Sequence, residues 1–186
     1  MHWKMEGAPE RKYTQPDKGL TVTDGQVVSG YASLFGLRDQ GGDVVQKGAY
    51  AISLKAMQAA GRQVKMLWQH DPAQPIGVWD EVREDATGLF VKGRILTEVE
   101  KGREAAALLA AGAIDGLSIG YKTVKAERDG KGNRLLSQLE LWEVSLVTFP
   151  MLQEARVSAK GDGPEAEFWR DLAAIFDDAS LSLAER

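Results

Sequence analysis

Two pairs of strand-like segments, each pair joined by a short polar turn that contains glycine, constrain the fold of this chain more than any other feature. The first pair spans residues 76–82 and 89–96, and the second spans residues 117–126 and 135–147. The segments are rich in β-branched, aromatic and leucine side chains, and short turns between such segments favour antiparallel hairpins. The sequence therefore predicts two hairpins of an antiparallel sheet.

Further segments add strands and two inserted helices to these hairpins. Residues 27–35 alternate as a strand does and residues 64–68 form a short apolar run, whereas residues 49–60 have the spacing of a short helix. Thr97 and Glu100 match a capping box, so a second helix is predicted to follow Thr97. Because few strand–helix–strand units repeat, we expect a mainly β fold with helices: a small, mostly antiparallel β-barrel with inserted and C-terminal helices.

Charge and glycine content divide the chain into four parts. Residues 157–186 hold three basic and seven acidic side chains, so they carry the whole net charge of −4. We expect a mobile N-terminal arm over residues 1–24, a β-barrel domain over 25–158, a linker over 159–164 and an amphipathic helix over 165–186. The apolar stripe of that helix either packs on its own barrel or docks on a partner, and both alternatives stay open.

Composition excludes several classes of function. The chain has no cysteine, two histidines and a net charge of −4. The lack of cysteine rules out a disulfide scaffold, a thiolate metal site and a cysteine nucleophile, and the net charge rules out a strongly basic nucleic-acid-binding protein. No apolar run approaches the ~20 residues of a membrane span, and the N-terminal residues lack the apolar core of a secretory signal. We therefore expect no metal, no cofactor, no nucleic-acid partner and no membrane partner.

One histidine lies in the part of the chain that is predicted to fold. His70 follows the apolar run at residues 64–68 and precedes Asp71 and Pro72, which places it at the end of a strand. Side chains at strand ends can face a cleft, so His70 is a candidate general base. The alternative interpretation is a structural or surface histidine.

A serine between two glycines is the candidate nucleophile. Gly116 and Gly120 lie two residues before and two residues after Ser118, and glycines let another backbone approach closely. The letters match the G-x-S-x-G elbow of hydrolases, but that elbow needs a helix after the serine, and here a strand is predicted. The alternative interpretation is a small residue at the start of a strand.

Two glutamates in the last predicted strand are candidates for the third group. In a regular strand Glu143 shares a face with Leu139, Leu141 and Ser145, where a carboxylate needs a partner, and a histidine N–H is a natural one. Glu140 lies on the opposite face and is the alternative, unless both glutamates are exposed edge charges. A hydroxyl, a histidine and a carboxylate are the components of a serine hydrolase, although their spacing does not prove that they meet.

Four motifs occur in a fixed order within residues 26–158. They are Trp68-Gln69-His70-Asp71-Pro72, Pro75-Ile76-Gly77, Gly116-Leu117-Ser118-Ile119-Gly120-Tyr121 and Glu143-Val144-Ser145-Leu146-Val147-Thr148-Phe149-Pro150. Together they resemble the prohead (capsid-maturation) serine proteases of tailed phages. Related proteases serve phage-like gene transfer particles, and the resemblance leaves open which of the two groups the chain belongs to.

The resemblance implies a fold and a set of site residues. The family is similar in fold to the herpesvirus assembly protease, a compact β-barrel surrounded by helices. It implies that Ser118 is the nucleophile and His70 the general base. A second histidine completes the triad of the herpesvirus enzymes, but here a carboxylate must replace it. Glu143 matches the family's Glu-Val-Ser motif and is chosen over Glu140. Apart from the resemblance, Arg156 is a candidate donor to the oxyanion, and the alternative for it is a surface or structural ion pair.

The resemblance also implies a serine endopeptidase with a defined substrate and place of action. The substrate is the N-terminal scaffolding segment of the major capsid protein, cut inside the assembling prohead in the host cytoplasm, and the protease itself is a further target. A homodimer would confine activity to the crowded interior of the shell. Two other functions stay open: a non-catalytic capsid-assembly or scaffolding protein that keeps the protease fold, and an unrelated small-barrel binding module.

Overall fold

The computed structural model describes residues 10–14, 21–23, 26–39 and 41–149. These residues form nine strands and two helices. No helix among them is long and apolar enough to cross a membrane. The elements are β1 (Glu10–Thr14), β2 (Thr21–Thr23), β3 (Val27–Leu34), β4 (Asp43–Val45), α1 (Ala51–Ala59), β5 (Lys65–Trp68), β6 (Asp71–Glu84), β7 (Gly88–Ile95), α2 (Glu100–Ala110), β8 (Gly116–Arg128) and β9 (Arg134–Val147).

All nine strands belong to one curled sheet. Its order is β1-β8-β9-β5-β6-β7-β3-β2, and β4 pairs with the beginning of β9. The pairs are antiparallel except for β4–β9 and β5–β9, which are parallel. The sheet curls into a half-barrel, so that β3 comes close to β1 and β8 although β3 pairs with neither of them. The prediction of a mainly β, mostly antiparallel fold with inserted helices is confirmed.

Both predicted hairpins are present, and an aspartate shapes the turn of each. Asp85 Oδ1 accepts hydrogen bonds from the backbone N–H groups of Thr87 and Gly88 at 2.8 and 3.1 Å, between β6 and β7. Asp129 Oδ1 accepts from the N–H groups of Lys131 and Asn133, both at 2.8 Å, between β8 and β9. An aspartate that bonds its own downstream backbone stabilises a tight turn, which explains the turn signals in the sequence.

The predicted capping box at Thr97 is wrong. Helix α2 begins at Glu100, its N-cap is Val99, and no side chain caps it. The Val99 N–H bonds to the carbonyl of Leu96 at 3.1 Å, so Thr97 lies inside a turn that precedes the helix. From there its hydroxyl accepts a hydrogen bond from Gln26 Nε2 at 3.2 Å instead of a helix N–H.

Part of the segment expected to be an N-terminal arm forms strands. Residues 10–14 are β1, which pairs antiparallel with β8, and residues 21–23 are β2, which pairs antiparallel with β3. The neighbouring strands supply the hydrogen bonds that these short polar segments cannot make alone. The expected linker over 159–164 and helix over 165–186 lie outside the described residues, so the domain boundaries remain predictions.

A β-bulge in β9 changes which of its side chains share a face. Across the β8–β9 pair Gly120 is opposite Glu143 and Tyr121 is opposite Leu141, so Trp142 is an extra residue in β9. Residues on both sides of the bulge join one buried apolar cluster: Leu139, Leu141, Val144 and Leu146. The sequence analysis expected side chains to alternate regularly between the two faces along this whole strand. That expectation is wrong, because the bulge shifts the alternation by one residue at Trp142. Glu143 points away from the face that carries Leu139 and Leu141.

Candidate active site

Ser118, His70 and Glu143 lie in one continuous line of hydrogen bonds. Ser118 Oγ is 2.5 Å from His70 Nε2, and His70 Nδ1 is 2.5 Å from Glu143 Oε1. All three residues are buried, with exposed fractions of 0, 6 and 9 %. The structure thus brings together the three side chains that the sequence analysis selected, although they are separated by 48 and 73 positions along the chain.

Strand β9 organises the site because it pairs with β8 along one edge and with β5 along the other. In the β8–β9 register Ser118 is opposite Ser145, and Gly120 is opposite Glu143. In the parallel β5–β9 register Leu67 is opposite Ser145. The nucleophile therefore comes from one neighbour of β9 and the histidine from the turn that follows the other neighbour.

His70 lies in a strained two-residue turn between β5 and β6. Trp68 pairs with Asp71, and the two residues between them have positive φ angles, 51° at Gln69 and 64° at His70. Positive φ at both central positions defines a type I′ hairpin turn, in which Asn-Gly is the usual sequence because other side chains are strained. Strain of this kind persists only where surrounding contacts hold it, and it concentrates at functional sites.

Hydrogen bonds from β9 and the residue after it hold this turn. The Gln69 N–H bonds to the Leu146 carbonyl at 3.0 Å, and Gln69 Nε2 donates to Thr148 Oγ1 at 2.6 Å. The His70 N–H donates to Ser145 Oγ at 3.1 Å. These three contacts fix both the backbone and the position of the imidazole relative to β9.

Ser145 also holds the glutamate, a role that the sequence analysis did not assign. Its hydroxyl donates to Glu143 Oε2 at 2.6 Å while its oxygen accepts the His70 N–H, and the residue is completely buried. One hydroxyl thereby fixes two members of the line. The signal in the sequence was the spacing of two between Glu143 and Ser145, which places both side chains on one face of a strand.

Gly120 makes room for the glutamate. A Cβ atom at this position would lie 2.0 Å from Glu143 Oε1 and 2.7 Å from its Cδ. The sequence analysis explained this glycine by the approach of another backbone. The structure corrects that explanation, because the group that occupies the space is the Glu143 carboxylate.

The hydrogen-bond pattern assigns the donors and acceptors. Glu143 accepts from Ser145 at one oxygen and faces His70 Nδ1 at the other, so Nδ1 carries the proton that it donates to the carboxylate. Nε2 of the neutral imidazole is then an acceptor, and it faces the Ser118 hydroxyl. This is the tautomer in which histidine can remove a proton from serine.

The other candidates lie elsewhere. Glu140 is exposed on β9, opposite Lys122 of β8. Arg156 lies outside the described residues. Among the residues that the structure describes, no group of three or more His, Asp or Glu side chains is placed to hold a metal ion.

Comparisons with known proteins agree on one family. The model of the caudovirus prohead serine protease family matches residues 13–166. The prohead protease of Enterobacteria phage HK97 is 29 % identical over 149 residues, which cover 78 % of this chain and 65 % of that protein. The prohead protease of Escherichia phage T5 is 25 % identical over 164 residues, which cover 86 % of this chain and 75 % of that protein. The chain thus spans just under two thirds of the length of the HK97 relative.

A solved structure shows the same fold. The bacteriophage T4 capsid assembly protease superposes with a TM-score of 0.61 at 16 % sequence identity, covering 77 % of this chain and 98 % of that one. At this identity the likeness concerns the fold alone.

Proposed function

The chain belongs to the caudovirus prohead serine protease family, and we propose on that premise that it is a serine endopeptidase of capsid maturation. Ser118 is the nucleophile, His70 the general base and Glu143 the group that orients His70. The observation that carries the proposal is the line of hydrogen bonds from Ser118 Oγ to His70 and on to Glu143, with 2.5 Å at both steps.

The proposed reaction is acyl transfer to serine followed by hydrolysis. His70 Nε2 takes the Ser118 proton while Oγ bonds to the carbonyl carbon of the scissile peptide. The imidazolium so formed is stabilised by the Glu143 carboxylate, and it then gives the proton to the leaving amine nitrogen. Water, deprotonated by His70, attacks the acyl-enzyme, releases the acid product and restores the Ser118 hydroxyl.

The contacts around the line support catalysis over a purely structural role. A buried carboxylate needs partners at both oxygens, and one of the two partners of Glu143 is a histidine in a turn with two positive φ angles, which is itself a strained conformation. A scaffolding protein that only docked on a shell would gain nothing from this arrangement. A general base, in contrast, requires one tautomer and one orientation, and the contacts of Ser145 and Glu143 provide both.

The substrate and the place of action are the finer part of the proposal. We propose that the chain cuts the N-terminal scaffolding segment of the major capsid protein, and itself, within the assembling prohead in the host cytoplasm. The names of the HK97 and T5 relatives support action in the prohead. A herpesvirus-protease-like closure of the barrel and a homodimer are proposed on the family resemblance alone.

Ser118→Ala tests the proposal directly. We expect it to abolish cleavage of a co-expressed major capsid protein, read as gel mobility, and to abolish labelling by a fluorophosphonate probe. The matched control is Ser137→Ala. Ser137 lies on β9, the strand paired with β8, and among the described hydrogen bonds its hydroxyl contacts only the exposed backbone carbonyl of Lys125 at 3.4 Å. Normal cleavage by Ser118→Ala would refute the assignment. Retention of the wild-type protein inside shells without any cleavage would instead support the scaffolding alternative.

A further inference from the structure

Access to the nucleophile is blocked in this structure. Ser118 has an exposed fraction of 0 %, and the His70 side chain is 3 % exposed. On the proposed function, the carbonyl carbon of a peptide must come within bonding distance of Ser118 Oγ. Some part of the protein that now covers Ser118 must therefore move before a substrate can react.

Strand β1 is the element that runs beside the nucleophile. It pairs antiparallel with β8 over five residues, and in that register Tyr13 is opposite Ser118 and Arg11 is opposite Gly120. The other edge of β8 at Ser118 is occupied by β9. Strand β1 lies at the end of the sheet, and in the described residues β8 is its one partner strand.

The main chain of β1 fills the position that an extended peptide would take next to Ser118. Peptides commonly bind by adding a strand to a sheet edge, where main-chain hydrogen bonds supply affinity. Paired strands lie about 4.8 Å apart, so the backbone of a strand on this edge runs within reach of a side chain on β8. Both edges of β9 are paired along Glu143 and Ser145, by β8 and by β5. Within residues 26–149, no strand pairs with the other edge of β8 at residues 117–121. This edge, which β1 occupies, is therefore the one that a peptide could join beside Ser118.

We propose that the β8 edge at residues 117–121 is the substrate-binding edge, and that β1 occupies it until an extended peptide substrate replaces it as an antiparallel strand. This inference rests on the proposed function. It adds to it the binding site of the substrate, its extended conformation and a competitor within the same chain.

Competition of this kind has a measurable size. When the binding-competent form is only a fraction of the molecules, the apparent affinity falls by that fraction. If the molecules in which β1 is paired with β8 outnumber those in which this edge is free by about ten to one, a variant with a free edge has a KM for a peptide that is about tenfold lower. The kcat stays the same, because the line of Ser118, His70 and Glu143 is not altered.

The test is a proline in β1 of the full chain. Lys12→Pro fixes φ at about −65° and adds a ring in the middle of the strand, which distorts the extended backbone that pairs with β8. Lys4→Pro is the matched control, because it introduces the same residue outside the paired register. We expect a fluorophosphonate probe to label Ser118 about tenfold faster in Lys12→Pro than in the wild type, and at the wild-type rate in Lys4→Pro.

A second measurement uses the segment itself as a ligand. We expect a synthetic peptide of residues 8–16 to slow the labelling of Lys12→Pro, and a scrambled peptide of the same composition to leave it unchanged. A variant that lacks residues 1–14 is the independent check, and we expect it to fold and to label as fast as Lys12→Pro.

The outcomes separate the two proposals. The proposal for the substrate-binding edge would be overturned if the wild type, Lys12→Pro and the truncated chain were labelled at equal rates. The protease assignment would stay intact in that case, provided that Ser118→Ala is not labelled. Loss of folded structure on removal of residues 1–14, seen by circular dichroism, would make β1 an integral strand and also overturn it. Absence of labelling and of cleavage in every variant would overturn the proposed function itself.

Discussion

Gly120→Ala introduces one methyl group at the most confined point of the site. The added Cβ would lie 2.0 Å from Glu143 Oε1, and ordinary contact begins at 3.4 Å, so the two must separate by about 1.4 Å. A glutamate tip usually moves aside at little cost. Here, however, its two oxygens are held at 2.5 Å from His70 Nδ1 and 2.6 Å from Ser145 Oγ.

The displacement sets the size of the expected effect. If the carboxylate moves directly away from His70 Nδ1, a shift of about 1.4 Å stretches their distance from 2.5 Å to about 3.9 Å, beyond hydrogen-bond range, and a shift in another direction stretches it less. Misplacing a catalytic group by ~1 Å costs about 10²-fold in rate, and losing the orienting carboxylate altogether costs about 10⁴-fold. We therefore expect kcat to fall by about 10²–10⁴-fold, with a loss of about 1–3 kcal/mol in unfolding free energy because a buried hydrogen bond is broken.

The control is another glycine in the same pair of strands. Gly130, in the β8–β9 turn, has nothing within 4 Å of a built Cβ and no positive φ. Gly130→Ala is expected to leave kcat and the melting temperature unchanged. Both variants are compared with the wild type by steady-state cleavage of a capsid-protein peptide and by thermal unfolding.

A double-mutant cycle can refute the explanation. If the methyl group acts by displacing Glu143, then Gly120→Ala in a Glu143→Ala background removes nothing more, and the two effects are strongly non-additive. Additive losses would show that Gly120 acts on the site by another route. A Gly120→Ala variant with wild-type kcat would refute the claim that the added methyl group displaces the Glu143 carboxylate from His70.

Two further predictions concern carboxylates. Glu143→Gln is expected to lower kcat by ~10²-fold or more because the orienting charge is lost, whereas the exposed Glu140→Gln is expected to retain activity; the reverse order in a peptide-cleavage assay would refute the choice. Burial opposes ionisation of Asp85, but hydrogen bonds from the Thr87 N–H and the Tyr31 hydroxyl prevail and lower its pKa from 3.8 to about 2. Stability from this ionised group is complete above pH ~4 and is lost as pH falls towards ~2, so thermal melts of Asp85→Asn are expected to show a weaker pH dependence across that range.

Local patterns in the sequence predicted the hairpins and the inserted helices. The turns between β6 and β7 and between β8 and β9 are made by aspartate and glycine within a few residues, so their information is local. The pairing of β1 could not be predicted in the same way. Residues 10–14 are polar and would be irregular alone, and the hydrogen bonds that make them a strand come from β8, more than a hundred residues later.

The candidate site was predicted only as a set of residue types. His70, Ser118 and Glu143 were selected because a hydroxyl needs a base and the base needs a third group. Whether they meet depends on the order of β8, β9 and β5 in the sheet, and no local pattern contains that order. The second role of Ser145 and the space at Gly120 depend on the same long-range pairing.

The bulge at Trp142 shows why the choice between the glutamates could not rest on alternation. In an unbroken strand Glu143 would face the same way as Leu139 and Leu141, both of which are in the apolar core. The extra residue rotates the strand by one position, so Val144 and Leu146 take over the core face and Glu143 turns to the face of His70.

The same bulge lets one strand serve two purposes. Just before the bulge β9 packs Leu139 and Leu141 into the core. After it, Val144 and Leu146 take the core face, while Glu143 and Ser145 face the histidine turn. If β9 kept Trp142 but paired with β8 without a bulge, either Glu143 would enter the core or Leu139 and Leu141 would leave it. Since burying an unpaired carboxylate costs several kcal/mol, we infer that the site requires the bulge as long as Trp142 is present, whereas deleting Trp142 would leave Leu141 opposite Tyr121 and Glu143 opposite Gly120.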